Sequence, residues 1–411
     1  MVENVEGFID GHPTGDVFRS TERRMKLLQI LPSTQRGGNE EYALTIAATA
    51  TKKGWEVHAA FPFLEATRSL REDFARSGVR YHPLDIEEKY VRTLQIVRIL
   101  GAHFIRTLIL LMRMRPDVVQ LILPWPEWGL GSMLACRTFR IPTAVAFQLV
   151  SIRLNVEGLR RRCYRWAFSR FLHCVAVSEN NRMLLSESFN LPKEKISRIY
   201  NGTRPAAADQ GAGQDKLALR AEVRAGLGLE DSARLLLTVG RLSRQKGYDV
   251  LVPVVKNIAR KFPDVCFVWA GDGEERENLI QALQAEGVRD KVLLTGHRND
   301  ISRLMRAADL FVFPTRFEGH PFSLLEAMAC GLPVVTSDAS GITEIVEHGV
   351  HGIVFRAGDS LQFEEAICRA LEHPAEMEKY AVQAAERARQ FSEEKMVDET
   401  LDLLESLKVR K

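Results

Sequence analysis

Residues 313–336 read FPTRFEGHPFSLLEAMACGLPVVT, and the rest of the chain makes sense around them. The run Leu310-Phe311-Val312-Phe313 is an apolar strand end closed by Pro314. Gly319 and Pro321 keep the following loop from becoming helix too early. From Phe322 the apolar residues recur at helical spacing through Leu324, Leu325, Ala327 and Met328, until Gly331-Leu332-Pro333 stops the helix. Val334-Val335 then opens another strand. Glu318 therefore sits in a loop at a strand's carboxyl end, and Glu326 about one turn into a helix. A helix start collects unpaired N–H groups and positive potential, which suits an anion. A carboxylate in such a loop can hold sugar hydroxyls, and one in the first turns can hold a ribose diol.

Working outward, apolar runs alternate with helical patterns on both sides. Before the quoted stretch, strands are expected over 25–31, 56–61, 118–123, 143–147, 172–177 and 196–200. Helices are expected from Gly37 to about residue 54, and near 68–78, 86–114, 127–139 and 178–189. A second alternation places strands over 235–239, 265–270, 291–295, 309–313, 334–336 and 352–355. Strands alternating with helices form parallel, doubly wound sheets, so the fold class is α/β with two Rossmann-like domains. The expected organisation is a loose tail over 1–24, a first domain over 25–200 and a linker region over 201–232, which contains one short helix and whose first part is the linker itself. A second domain over 233–390 and a C-terminal helix over 391–411 complete it.

The composition, 45% hydrophobic and 27% charged over 411 residues, belongs to a globular chain with sizeable cores. A net charge of +3 implies no nucleic-acid partner, but its distribution is uneven. Residues 86–170 hold 14 Lys or Arg against 5 Asp or Glu, a balance of +9 that leaves −6 for the rest. The six cysteines show no C-x-x-C pairing or zinc-like spacing, which fits reduced thiols in a cytoplasmic protein. The polar, glycine-containing start is not a secretory signal, and no run of about 18 apolar residues crosses a membrane.

Two further turns carry charge or glycine at the ligand-binding edge of a sheet. One is Gly240-Arg241-Leu242-Ser243-Arg244-Gln245-Lys246-Gly247. There Arg241 offers a planar fork of donors for phosphate oxygens and Lys246 a mobile point charge. The other is Gly37-Gly38, whose missing side chains let backbone approach phosphate or sugar closely. The E-x7-E loop followed by EAMA-x-G-x-P-V-V, together with G-R-L-x5-G carrying a Lys before its last Gly, resembles the retaining glycosyltransferases of family 4. That resemblance implies the two-domain GT-B fold, with the C-terminal helix packing back on the first domain.

It further implies that Arg241 and Lys246 hold a donor diphosphate, that Glu318 positions the donor sugar, and that Glu326 holds ribose. Gly37, Gly38, Gly240, Phe322, Ser323 and Leu324 would complete the donor site. Arg298, in Gly296-His297-Arg298-Asn299-Asp300, falls in the loop resembling the family's base-binding segment. One departure stands out. Where the family often has a histidine after the strand 143–147, this chain has Gln148 on the acceptor side, and an amide hydrogen-bonds but is no base.

The expected activity is thus retaining transfer from a nucleotide-diphospho-sugar to a saccharide or lipid-linked acceptor, in polysaccharide or glycoconjugate biosynthesis. No D-x-D occurs, so the expectation is no metal and no cofactor, with fixed cations carrying the leaving-group charge. A nucleotide-sugar epimerase or phosphorylase on the same fold, or a non-catalytic sugar-nucleotide binder, are the alternatives. A dinucleotide oxidoreductase fails for want of G-x-G-x-x-G after the first strand.

On a helical wheel, Lys89, Arg92, Gln95, Arg98, His103, Arg106 and Arg113 share one half and apolar residues the other. Arg160-Arg161-Arg162 and Arg165 interleave with Tyr164, Trp166 and Phe168. An anionic membrane surface is one reading, placing the protein peripherally on the inner face of the cell membrane. A solvated basic face on an ordinary outer helix is the other.

Overall fold

Among the described residues thirteen strands form, most of them short apolar runs bounded by turn residues, and the stretches between them pack as helices on both sheet faces. The structure, a computed structural model, describes residues 24–86, 93–168, 170–204 and 216–409. The first domain is β1 (Lys26–Ile30), α1 (Gly38–Lys52), β2 (Glu56–Phe61), α2 (Arg68–Arg76), β3 (Arg80–Pro83), α3 (Thr93–Met114), β4 (Val118–Leu123), α4 (Leu130–Thr138), β5 (Thr143–Phe147), α5 (Gly158–Ala167), β6 (Leu172–Ala176), α6 (Glu179–Phe189) and β7 (Ile196–Arg198). The second comprises α7 (Lys216–Gly226), β8 (Arg234–Val239), α8 (Tyr248–Lys261), β9 (Val265–Ala270), α9 (Arg276–Ala285), β10 (Val292–Gly296), α10 (Ile301–Ala307), β11 (Leu310–Phe313), α11 (Phe322–Ala329), β12 (Val334–Ser337), β13 (Ile353–Phe355), α12 (Ser360–Glu372) and α13 (Pro374–Arg389); α14 (Glu393–Val409) follows.

The sheet orders are β3-β2-β1-β4-β5-β6-β7 and β10-β9-β8-β11-β12-β13, and the paired strands run parallel. Each order reverses beside its first strand, between β1 and β4 and between β8 and β11. Those reversals open crevices at the carboxyl edges, where open α/β sheets bind ligands. Helices cover both faces, so β4 is buried at every position and shows no polar alternation.

Helix α14 leaves the second domain and buries Met396, Val397, Leu401, Leu404 and Leu407 in the core formed with β1 and α1. The Tyr42 and Thr400 hydroxyls lie 3.3 Å apart across that contact.

Several boundaries differ from expectation for local reasons. Helix α4 starts at Leu130 rather than 127, because Gly129 caps it in the left-handed region at φ 76°. Helix α7 is the short helix expected within 201–232; Leu219 and Val223 are buried in the second core, so it belongs to the second domain and the boundary moves N-terminally from 233. Strand β3 and helix α5 went unforeseen, since RYHP and GLRRRCYRWA lack an apolar run to announce them.

Helix α3 departs further from the wheel. His103 and Thr107 are buried, with Thr107 hydrogen-bonded to Ser132 on α4, while Ile105 is 54% and Met112 50% exposed. The buried stripe is set by Gly131, whose absent side chain lets α4 press on Leu100 and His103. Lys89 and Arg92, residues 1–23 of the expected tail and 205–215 of the expected linker lie outside the described residues, as do the side chains of Gln95 and Arg98. The six cysteines are thiols and not disulfides; burial pushes the Cys136 thiol up to about 12.

Candidate active site

The turn after β8 is pinned from beneath by Leu242, fully buried, and from the side by Gly247. Gly247 adopts φ +71°, and a Cβ there would lie 2.0 Å from the Pro314 carbonyl oxygen. Only glycine lets this turn lie against the β11 turn so closely. The close approach brings Lys246 to Glu318, Nζ to Oε1 at 2.6 Å. Thr315 donates its hydroxyl to the same oxygen at 2.8 Å, and Gln245 Nε2 lies 3.4 Å from Oε2. Glu318 is only 5% exposed, so the pair is a largely desolvated ion pair on two rigidly joined loops. Arg316 clamps the loop to α8 through two bonds to Asp249, and its guanidinium holds the Asp249 carboxyl below its ordinary range.

Arg241 projects into solvent across the cleft. In the amide orientation that satisfies both groups, Gln35 of the first domain accepts from its Nε at 3.1 Å and from both Nη atoms at 2.9 Å. Gly37 borders that contact: a Cβ there would lie 3.8 Å from Arg241 Nη2 and 3.3 Å from Glu40 Oε2. Glu40 is itself buried and receives the Ser33 hydroxyl at 2.5 Å, and desolvation raises its carboxyl above the ordinary range. Gly38 faces Phe322, the first residue of α11. Thus Gly37, Gly38, Arg241, Phe322, Lys246 and Glu318 do converge on one cleft between the domains.

Helix α11 has Pro321 before it, and its first intrahelical N–H bond is Leu325 to Pro321 at 3.3 Å. The earlier N–H groups point outward as donors. Leu324 is fully buried in the second core, so it can reach a ligand only through backbone. Phe322, Ser323 and Glu326 are half-buried. Gly240 lies beside the Lys246 stem and its carbonyl accepts the Tyr248 hydroxyl at 3.0 Å.

Two expected residues are engaged elsewhere. Arg298 is folded onto Asp300 by bonds of 2.7 and 2.6 Å, while His297 and Asn299 of the same loop are exposed. Gln148 is buried, and its amide oxygen accepts from Asn201 at 3.1 Å while Asn201 also donates to the His320 carbonyl at 2.9 Å. A Cβ on Gly319 would lie 1.9 Å from the Gln148 carbonyl oxygen. Gln148 therefore sits at a domain–domain contact.

Sequence reading did not reach Gln35, Thr315 or Glu40. Glu40 had a visible signal, a carboxylate two places after Gly38 at a helix start. The partners of Gln35 and Thr315 are 206 and 3 positions away, and no local pattern marks them.

Two Rossmann-like domains meeting at their carboxyl edges around a cationic, glycine-lined cleft define a GT-B protein. Residues 36–206 match Glycosyltransferase Family 4, and 220–391 match Glycosyl transferases group 1. The chain belongs to this family of glycosyltransferases. It is 34% identical over 181 residues to an uncharacterized glycosyltransferase of Methanocaldococcus jannaschii, an alignment covering 44% of this chain and 45% of that protein. With the alpha-D-kanosaminyltransferase of Streptomyces kanamyceticus it shares 30% identity over 54% of this chain and 56% of the relative. The chain thus spans about half the length of these relatives. Among solved structures, Anabaena HepE in complex with UDP and glucose superposes with a TM-score of 0.74 at 22% identity, covering 93% of this chain and 100% of that one. WaaG, a glycosyltransferase involved in lipopolysaccharide biosynthesis, gives 0.70 at 16% identity over 92% and 99%. At these identities the likeness is one of fold.

Proposed function

We propose that the protein transfers a sugar, with retention of anomeric configuration, from a nucleotide-diphospho-sugar to a saccharide or lipid-linked acceptor. The observation that carries this reading is the buried Lys246–Glu318 pair beside Arg241 and the α11 N-terminus. Cleaving a sugar–diphosphate bond builds negative charge on the leaving group and positive charge at the anomeric carbon. Arg241, Lys246 and the α11 N–H groups supply fixed positive charge for the first, and the Glu318 carboxylate faces the second. Diphosphate oxygens would compete with Glu318 for Lys246, and with Gln35 for Arg241, so donor binding rearranges both contacts. Glu326 would hold ribose hydroxyls from its place on α11.

No metal is needed in this scheme, because two cations serve the leaving group. Among the described residues no three His, Cys, Asp or Glu side chains cluster as a metal site. The Anabaena structure holds UDP and glucose, which makes UDP-sugars the first donors to test. A relative in Escherichia coli is a UDP-Gal:alpha-D-GlcNAc-diphosphoundecaprenol alpha-1,3-galactosyltransferase, 31% identical over 47% of this chain, which supports a lipid-linked acceptor. We place the protein in the cytoplasm, peripherally on the inner face of the membrane.

The test incubates the full chain with UDP-, GDP- and ADP-sugars, with and without diphospholipid-linked saccharides. Acceptor-dependent release of nucleoside diphosphate, with an α-linked product from an α-donor by NMR, is expected. Epimerised donor without release, or phosphate-dependent cleavage of a glycoside, would overturn the reading.

A further inference from the structure

After β12 the chain turns through Gly341-Ile342-Thr343 and presents Glu344, on the second domain, to the first. Its Oε2 accepts the backbone N–H of Glu179 at 2.8 Å and the Tyr200 hydroxyl at 3.0 Å, and its Oε1 accepts the N–H of Asn180 at 2.9 Å. Glu179 and Asn180 are the first two residues of α6, and the third N–H, of Asn181, is taken by the helix's own cap, Ser178, at 3.1 Å. A helix that lacks a local acceptor for its first two donors has found one in the other domain. The bond is favourable twice over, since a carboxylate satisfies orphan donors and meets the positive end of the helix dipole.

The segment bearing Glu344 is itself anchored. Arg387 on α13 donates to the Glu344 carbonyl oxygen at 2.8 Å. The neighbouring domain contact is equally specific: Gly319 lies against the Gln148 carbonyl, and the Tyr200 ring packs 4.7 Å from His320. Gly319 and His320 immediately follow Glu318. An error in the angle between domains would therefore move the carboxylate of the proposed sugar site directly.

We propose that Glu344 is an interdomain clamp, a positioning residue that sets the angle at which the two domains meet by seating its carboxylate on the N-terminus of α6. The contact is made by backbone donors, so it reads position and not the side chains of α6. Tyr200, at the end of the first domain, closes the third side of the carboxylate.

The test compares the full chain with Glu344→Ala, Glu344→Gln and Tyr200→Phe by small-angle X-ray scattering and amide hydrogen exchange. Glu344→Ala is expected to enlarge the radius of gyration and to lower protection of the Glu179 and Asn180 amides roughly tenfold, the scale of one lost hydrogen bond. Glu344→Gln keeps shape and one acceptor oxygen, so its effects should be intermediate; it also serves if the alanine variant fails to fold. Tyr200→Phe keeps both backbone contacts and should change little. Kinetically, Glu344→Ala should lower kcat by roughly 10- to 100-fold, the scale of a misplaced reacting group, with donor KM nearly unchanged. That kinetic part rests on the glycosyl-transfer reading, whereas scattering and exchange do not. Expansion and lost protection in a protein that transfers no sugar would leave the clamp standing and remove the transferase reading. Unchanged dimensions in the Glu344 variants, with or without loss of amide protection, would overturn the clamp and leave at most a local cap.

Discussion

Lys246 and Glu318 illustrate how one pair can serve both structure and chemistry. The pair is largely buried, so removing either partner strands the other, a cost to stability as well as activity. Arg241 differs in being exposed, with Gln35 accepting from its guanidinium. Arg241→Ala should therefore reduce kcat about 10²-fold with little loss of stability, whereas Lys246→Ala should lose a comparable factor and also several degrees of Tm. Steady-state kinetics paired with thermal melts separates the two; equal Tm losses would contradict the difference in burial. If those cations carry the leaving-group charge as proposed, kcat should also survive excess EDTA, and a complete loss restored by magnesium would remove that assignment. His320 makes a pH-dependent contribution. Burial pushes its pKa down from 6.5 to about 3, so the folded state keeps it neutral where the unfolded chain takes up a proton. Its stabilisation is intact above pH 6.5 and is lost as pH falls from there toward 3, by about 1.4 kcal/mol per unit. His320→Phe should flatten that slope in urea titrations between pH 6 and 4. The identities of Arg241, Lys246 and Glu318 were legible in the sequence because each sits at a fixed offset from a strand end. Their partners Gln35 and Thr315 were not, because an amide or a hydroxyl carries no signal until the fold brings it within reach.

At the scale of elements, the E-x7-E stretch was readable almost residue by residue. Pro321, Gly331 and the apolar spacing bound α11 in sequence as they do in structure, where Gly331 takes φ +66°. What the pattern could not show is which face each residue presents: Leu324 was expected at the donor, and its side chain is core. Helix α3 was misjudged for the same reason. A wheel gives a periodic face but not its direction, and Gly131 on a neighbouring helix chose it. Glu326 is half-buried on α11, and if it holds ribose as proposed, Glu326→Ala should raise donor KM while leaving kcat within about twofold, as loss of uniform binding does. An unchanged donor KM would remove the ribose role. The loop before α11 makes a sharper demand. Gly319→Ala puts a methyl 1.9 Å from the Gln148 carbonyl, and Val177 and Asn181 block the other directions. The clash lies between domains and not within either core. We expect kcat/KM to fall at least tenfold while each domain's circular dichroism is kept.

For the whole molecule, the uneven charge seen in the sequence becomes a surface. No helix among the described residues is long and apolar enough to cross a membrane, so contact with a bilayer would be by docking. Helices α3 and α5 both pack on α4, and their outer faces combine apolar with basic side chains. On α3, Ile105 and Met112 are half exposed beside Arg106 and Arg113; on α5, Leu159 is 76% and Trp166 45% exposed among Arg160, Arg161, Arg162 and Arg165. Helix α3 packs Leu100, Phe104, Leu108, Leu110 and Leu111 against the core, yet it also leaves Ile105, Ile109 and Met112 exposed beside its arginines, which a helix that merely solvates its basic half does not require. Exposed Leu, Ile, Met and Trp side chains amid arginines suit the headgroup boundary of an anionic bilayer, where each nearby basic residue contributes about 1 kcal/mol. Docking there would bring the cleft to a lipid-linked acceptor. Co-sedimentation with liposomes should rise with the fraction of anionic lipid and fall steeply between about 0.05 and 0.5 M salt, as the screening length shrinks below 10 Å. The double variant Leu159→Ser with Trp166→Ser should reduce binding at every salt concentration, since it removes insertion and leaves charge intact. Arg161→Ala with Arg162→Ala should instead weaken binding most at low salt. Equal binding of the wild-type chain to neutral and anionic vesicles, or none to either, would reduce this face to a solvated one.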